Sequence, residues 1–160
     1  SSRRAAAAGA AAVGVLAATG VACAIAVDVH EPYQRDDYRA AVAAAVRDPV
    51  GPRLVYTDGG GRVPGTLYLG RGTHVVLPGV PQTVREIDVL RVAGAEPGRP
   101  RSTPSIRADI TPAGFALAGV AQGSTWAVRR YVATTPTVVD PASLSLFGLG
   151  PRAVVLLRPR

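Results

Sequence analysis

The segment VREIDVLRV, Val84–Val92, is the clearest β-strand pattern in the chain. One face of the extended segment carries Val84, Glu86, Asp88, Leu90 and Val92, and the other carries Arg85, Ile87, Val89 and Arg91. Each face therefore mixes apolar and charged residues, so neither matches the continuous apolar run of a strand buried on both sides. The pattern predicts an exposed strand or a strand at the edge of a sheet.

A helix is predicted upstream of this strand, over Gln34–Arg47 (QRDDYRAAVAAAVR). Its apolar residues recur at the spacing of one helical face and are Tyr38, Ala41, Val42, Ala45 and Val46. Asp36 and Asp37 stand at its start, where carboxylates cap free N–H groups, and Pro49 ends it. Capping therefore explains the acidic pair better than a role in acid–base catalysis.

The remaining patterns alternate between short strands and helices. Before Val84 they are a strand at Arg53–Thr57, a Gly-rich turn at 58–61, one or two helical turns at Val63–Leu69 and a strand at His74–Leu77. After a surface loop at 93–104 they are a hairpin of 115–121 with 125–133, a helix from Asp140-Pro141 to Gly148 and a strand at 153–157. This order predicts a small α/β domain with a mixed sheet and a C-terminal hairpin–helix–strand unit.

The N-terminal run Ala5–Val27, AAAAGAAAVGVLAATGVACAIAV, contains no charge, side-chain amide or proline. Its 23 residues exceed the roughly 20 that a helix needs to cross a bilayer core. Arg3 and Arg4 precede the run, and basic residues favour the cytoplasmic side. We therefore expect residues 1–27 to form a transmembrane helix with a short basic cytoplasmic flank, and residues 28–160 to form an extracytoplasmic domain.

Two alternatives remain for the same run. A cleavable signal peptide would use the A-x-A site at Ala24–Ala26, although its apolar core is normally about 7–15 residues long. A lipoprotein signal would use Cys23, but Gly20 stands three residues earlier, where Leu is expected. Small residues at every fourth position favour a membrane bundle, although an Ala-rich segment also produces this ladder by chance; they are Ala6, Ala10, Gly14, Ala18, Ala22 and Ala26.

Composition and motifs predict no catalytic, cofactor-binding or metal-ligating residue. All 18 basic residues are Arg and lie scattered, without the basic helix or interleaved aromatics of a nucleic-acid surface, so no nucleic-acid partner is expected. His30 and His74 have no second ligand at metal spacing. The glycines after Asp58 follow a strand as in a phosphate loop, but Pro64 stands where a third Gly belongs, which favours an ordinary turn. The carboxylates near the membrane exit can serve an active site there, but solvation and capping explain them as well; they are Asp28, Glu31, Asp36 and Asp37.

Four segments stand out by their order: YQRDDYRAAVAAAV (33–46), VPGTLYLG (63–70), VREIDVLRV (84–92) and PAGFALAGVAQGSTWAVRRYVA (112–133). Together with the preceding apolar helix they resemble the C-terminal end of large actinobacterial membrane glycosyltransferases. The R-D-D-Y-R helix start, Arg35–Arg39, is the most recognisable part of this resemblance. The family consists of polytopic enzymes of GT-C architecture, similar to mannosyl- and arabinosyltransferases, that take sugars from polyprenyl-phosphate carriers.

The resemblance implies a cell-envelope protein in which the last membrane helix precedes an extracytoplasmic α/β tail. The family's catalytic carboxylate lies in the first extracytoplasmic loop of a chain with many membrane helices, so no catalytic role carries over to any position here. We therefore expect a non-catalytic terminal piece, or a stand-alone relic, of such a transferase. Its expected partners are the lipid bilayer, other transmembrane helices, and a lipid-linked sugar or glycan acceptor. The alternative is a single-pass or secreted α/β binding module of the cell envelope.

Overall fold

Three α-helices, two 3₁₀ segments and six strands make up the part of the chain that the computed structural model describes, residues 2–29, 38–93, 103–150 and 152–159. The helices are α1 (Ser2–Val29), α2 (Tyr38–Ala45) and α3 (Arg62–Leu69), and the 3₁₀ segments are Gly59–Gly61 and Pro141–Phe147. The strands are β1 (Arg53–Thr57), β2 (His74–Val76), β3 (Gln82–Val92), β4 (Ala116–Gln122), β5 (Trp126–Val139) and β6 (Val154–Arg158). The chain divides into two units, Ser1–Arg35 and Asp36–Arg160.

The helix α1 contains the apolar N-terminal run. Its 28 residues correspond to a length of about 42 Å at 1.5 Å per residue. Every side chain described in it, from residue 12 to residue 25, is exposed. Across the described residues, no helix combines the length and the hydropathy needed to cross a bilayer. The helix itself is therefore confirmed, whereas its insertion into a membrane stays a prediction.

The six strands form one mixed sheet in the order β2-β6-β1-β3-β5-β4. The strands β1 and β3 are parallel, and every other neighbouring pair is antiparallel. The connection from β1 to β3 carries α3 and β2, as the longer connection between parallel strands requires. The predicted small α/β domain with a mixed sheet is confirmed. Its C-terminal unit consists of the β4–β5 hairpin, the second 3₁₀ segment and β6.

Element boundaries differ from the sequence prediction at several points. The strand β5 continues to Val139 instead of ending at Ala133, although it contains Pro136. Pro136 lies where the pairing of β5 with β3 is irregular, between the Thr137–Val84 and Val132–Glu86 pairs. Its missing N–H therefore removes no hydrogen bond from the regular part of the ladder. The helix α2 ends at Ala45, and the predicted helix start at 34–37 lies outside the described residues.

Each face of the sheet buries its own apolar cluster. The 3₁₀ segment Pro141–Phe147 covers one face, where the ring centroid of Phe147 lies 5.6 Å from that of Tyr131. On the opposite face α2 and α3 pack over the second cluster, which includes Leu90 and Leu156. Burial of each large aliphatic side chain contributes about 1.5–3 kcal/mol, so both layers stabilise the sheet.

The prediction that Val84–Val92 is an exposed or edge strand is wrong. The strand β3 lies between β1 and β5, and both of its carboxylates, Glu86 and Asp88, are 0% exposed. Their charges are compensated by arginines from the two flanking strands. These arginines are distant in sequence, so the alternation within β3 alone could not reveal them.

Candidate functional site

Four charged side chains from three neighbouring strands meet on the face of the sheet that carries α2. Arg53 lies on β1, Glu86 and Asp88 lie on β3, and Arg130 lies on β5; this group is called the buried ion cluster below. In the register of the sheet Arg53 stands opposite Glu86, and Arg130 stands opposite Asp88. Side chains along a strand point alternately to the two faces of the sheet, and this register places all four on the same face.

The buried ion cluster is tightly paired. The Nη1 atom of Arg53 lies 3.2 Å from Oε1 of Glu86 and 3.1 Å from Oδ2 of Asp88. The same Glu86 oxygen lies 2.8 Å from Nε of Arg130. Arg53 and the two carboxylates are fully buried, while Arg130 retains 19% exposure. Glu86 therefore bridges two guanidinium groups, one from each neighbouring strand.

The cluster also holds the C-terminal end of α2. Arg53 Nη1 donates to the Ala45 carbonyl at 2.9 Å, and Arg130 donates to the carbonyls of Arg47, at 2.7 Å, and Asp48. The last carbonyls of a helix have no partner within the helix, and cations are favourable at this end of its dipole. The two arginines therefore bind carbonyls at and just beyond the end of α2 as well as the carboxylates of β3, while Arg53 Nη2 and Asp88 Oδ1 remain buried without a hydrogen-bond partner among the described residues.

Asp88 carries an unusual protonation equilibrium. Burial raises its pKa to about 8, and the negative charge of Glu86 adds to the rise, while Arg53 and Arg130 oppose it. Carboxyl groups with a strongly shifted pKa occur both at functional sites and in structural ion networks. Asp88 is fully buried, so the arrangement can store a proton under α2 but offers no direct contact with a substrate.

Asp58 forms a second polar centre at the other end of α2. Its Oδ1 atom accepts from the Tyr38 hydroxyl at 2.5 Å and from the Gly61 N–H at 3.2 Å. Its Oδ2 atom accepts from the Val92 N–H at 3.3 Å. Asp58 thus caps the 3₁₀ segment Gly59–Gly61 and connects it to α2 and β3.

The glycines after Asp58 have a packing role. A Cβ on Gly59 would lie 2.7 Å from the carbonyl oxygen of Arg152, and one on Gly61 would overlap the Thr57 side chain, 2.7 Å from its Cγ2. The N–H of Gly61 is already bound to Asp58. Close packing and capping therefore account for the glycines without a bound phosphate.

A surface cleft of about 370 Å³ lies on the opposite face of the sheet. It is lined by residues 110–113, by the end of β5 and by the 3₁₀ segment Pro141–Phe147. Tyr131 donates to the Ile110 carbonyl at 3.0 Å and so holds one wall. Asp140 on another wall accepts from the N–H groups of Ala142 and Gly79. The volume lies within the range of about 300–1,000 Å³ that is typical of small-molecule pockets.

The other residues discussed from sequence do not join these sites. His74 is exposed on β2, with Nδ1 3.1 Å from the Gly72 carbonyl. His30, Glu31, Asp36 and Asp37 lie outside the described residues. Within the described part of the chain, no three His, Cys, Asp or Glu side chains are grouped as metal ligands.

Sequence reasoning missed the buried ion cluster. A signal was present, because the strands that contain Arg53, Glu86 with Asp88, and Arg130 each place charged residues beside apolar ones. Charges of opposite sign in several such strands are typical of a compensated network inside a sheet. Which charge pairs with which depends on the strand order β1-β3-β5, which the pattern of a single strand does not contain.

Comparisons with known proteins add no family assignment. No protein-family model matches the chain, and neither a curated protein nor a solved structure matches it.

Proposed function

We propose that this chain is the non-catalytic C-terminal helix and α/β domain of a membrane glycosyltransferase-like protein with a polyprenyl-phosphate-linked sugar as donor. In this proposal α1 is inserted in the cell membrane with its N-terminus in the cytoplasm, and residues 28–160 are extracytoplasmic. The domain covers the outer face of the enzyme and shapes the site of the glycan acceptor. The whole protein, rather than this domain, carries out the transfer of the sugar.

The exposed apolar surface of α1 is the observation that carries the proposal. Its large apolar side chains are 58–73% exposed; they are Val13, Val15, Leu16, Val21 and Ile25. A helix that is apolar on all sides is stable when lipid or other apolar helices surround it. A Cβ on Gly14 or Gly20 would meet no atom within 4 Å, so both positions leave room for a neighbouring helix.

The engagement of the carboxylates supports a non-catalytic role. Glu86 and Asp88 bind arginines in the buried ion cluster, and Asp58 and Asp140 cap 3₁₀ segments. Asp109 is exposed and lies 2.8 Å from Arg107. A carboxylate that acts on a sugar must reach the substrate, whereas Glu86 and Asp88 are fully buried, and Asp58 and Asp140 accept hydrogen bonds from backbone N–H groups. Tyr38, the aromatic residue of the R-D-D-Y-R segment, has a structural role as well, through its bond to Asp58.

The cleft favours a second candidate function, a membrane-anchored or secreted α/β binding module of the cell envelope. Its apolar walls, which include Val138 and Leu146, and its few polar groups suit a small ligand. The two candidates share the location of the domain and differ in what precedes Ser1. Further hydrophobic helices upstream, with a carboxylate in their first outer loop, are expected for the transferase. A start codon directly before Ser1 would contradict it and favour the binding module.

Membrane insertion and orientation are tested with single cysteines. Cys23 is the only cysteine of the chain, so Cys23→Ser provides a background for Ser145→Cys on the exposed side of the 3₁₀ segment. We expect a membrane-impermeant maleimide to label Ser145→Cys in intact cells. We also expect the native Cys23 to be labelled only after detergent is added. Labelling of Ser145→Cys only in lysed cells, or release of the chain from membranes by alkaline carbonate, contradicts the proposal.

A further inference from the structure

The helix α3 has apolar residues on both of its sides. Its inner side is packed on the sheet, because Leu69 is buried and a Cβ on Gly65 would lie 2.5 Å from Cδ1 of Leu156. Its outer side carries Val63 and Leu67, one turn apart, which are 73% and 70% exposed. Tyr68 borders them and is about half exposed. These three residues form the α3 apolar face.

We propose that the α3 apolar face lies in the headgroup region of a lipid bilayer and binds anionic lipid there. The inference rests on the proposed insertion of α1 into the membrane. It goes further because it assigns a second, peripheral membrane contact to the α/β unit and names the surface that makes it.

The connectivity of the unit supports this assignment. Tyr38 is the first residue of α2 and donates to Asp58, whose cap leads directly into α3. A Cβ on Gly60 would lie 2.9 Å from the Tyr38 hydroxyl oxygen, and α3 packs against α2. The helix α3 therefore begins beside the point at which the chain enters α2 from its N-terminal side.

The length of the connection to α1 gives the second argument. Eight residues, 30–37, join α1 to α2. A chain extends by at most about 3.5 Å per residue, so these residues reach no further than about 30 Å. When α1 is inserted in a membrane, the α/β unit is thus held near the surface of that membrane.

The chemistry around α3 matches an anionic lipid surface. Arg62 at the start of the helix and Arg71 just beyond its end are both exposed. No acidic residue occurs between Asp58 and Glu86. Amphipathic helices at membrane interfaces combine an apolar face with basic residues, and Tyr is enriched at the level of the headgroups. In the proposed contact these two exposed arginines pair with lipid phosphates.

The opposite edge of the sheet offers a matched control. Val120 on β4 is also an exposed aliphatic residue, at 56%. The helix α3 packs on β6, and four strand spacings separate β6 from β4, about 19 Å at 4.8 Å per strand. A probe at Val120 therefore reports on a surface that the proposal leaves in water.

The test measures the depth of fluorescent probes in the full-length chain. The Cys23→Ser chain is reconstituted in vesicles of phosphatidylcholine and phosphatidylserine, with a bimane at Leu67→Cys, Val120→Cys or Leu16→Cys. Lipids with a nitroxide at the headgroup or deep in the acyl chain act as quenchers. We expect the headgroup nitroxide to quench Leu67→Cys and not Val120→Cys, and the deep nitroxide to quench Leu16→Cys.

The outcomes separate the inference from the proposed function. Equal quenching at Leu67→Cys and Val120→Cys, with Leu16→Cys still quenched by the deep nitroxide, overturns the α3 contact and leaves the insertion of α1 intact. Absence of quenching at Leu16→Cys contradicts the insertion itself. We expect Arg62→Gln with Arg71→Gln, or vesicles of phosphatidylcholine alone, to reduce the loss of fluorescence at Leu67→Cys. An unchanged loss in both cases overturns the role of anionic lipid.

Discussion

Arg53 Nη1 lies 3.1 Å from Asp88 Oδ2 at a point where both side chains are fully buried. The same nitrogen donates to the Ala45 carbonyl at the end of α2. One guanidinium group therefore joins two strands and a helix. Removal of an ion from water is costly, so the stability of this region depends on how completely each member of the buried ion cluster remains paired.

The raised pKa of Asp88 predicts that the protein loses stability as the pH increases. The folded state holds a proton on Asp88 up to a pKa of about 8, whereas the unfolded chain releases it near the ordinary value of 3.8. Between these two pKa values the folded state thus binds a proton that the unfolded chain has released. The stabilisation that this proton gives is complete below the unfolded-state pKa and is lost as the pH rises through the folded-state pKa. The expected slope is at most about 1.4 kcal/mol per pH unit.

Urea unfolding at several pH values between these two pKa values measures how steeply the free energy of unfolding falls with pH. Asp88→Asn is the matched variant, because it keeps the shape of the neutral acid and cannot ionise. We expect its unfolding free energy to vary less with pH than that of the native chain. Parallel pH profiles for the two proteins would show that Asp88 is not the group responsible.

The substitution Arg53→Met is expected to destabilise the fold strongly. It leaves the buried Glu86 carboxylate with one cation fewer and removes the hydrogen-bond donor of Asp88, and breaking a buried pair from one side costs about 3–5 kcal/mol. Arg130→Met removes a partly exposed partner and is expected to cost less. Adding Glu86→Leu and Asp88→Leu to Arg53→Met should restore most of the lost stability. Chemical denaturation measures all three proteins, and equal losses for Arg53→Met and Arg130→Met would contradict this ranking.

Local patterns predicted most of the elements of the fold. The bounds of β1 were correct, and the helix stop at Gly148 is a left-handed residue with φ of 70° that donates to the Ser145 carbonyl. These features depend on residues close together in the sequence, so a local sequence pattern is enough to predict them. The central position of β3 depends instead on cancellation of charge by Arg53 and Arg130, which are 33 or more positions away from Glu86. The cleft likewise joins two separate stretches of chain, 110–113 and 138–147, so no single stretch of sequence indicated it.

The substitution Tyr38→Phe is expected to loosen the start of α2. It removes the hydroxyl that donates to Asp58 at 2.5 Å, and hydrogen bonds to charged groups contribute about 1.5–3 kcal/mol. Tyr68→Phe is the control, because Tyr68 lies on the exposed side of α3 and surface changes of this kind stay within about 0.5 kcal/mol. Thermal and urea unfolding compare the two. A loss for Tyr38→Phe no larger than that for Tyr68→Phe would rule out a stabilising role of the bond.

The substitution Gly61→Ala is expected to destabilise the turn between β1 and α3. The new Cβ would overlap the Thr57 side chain, and its distance to the Thr57 Cβ would be only 2.9 Å, so the backbone must shift. Forcing an extra methyl group into a packed site costs about 1–3 kcal/mol. Gly119→Ala on β4 is the matched control, since its Cβ would meet no atom within 4 Å. Adding Thr57→Ala should recover part of the loss at Gly61, because it removes Oγ1 and Cγ2. Equal unfolding free energies for Gly61→Ala and Gly119→Ala would exclude close packing as the reason for this glycine.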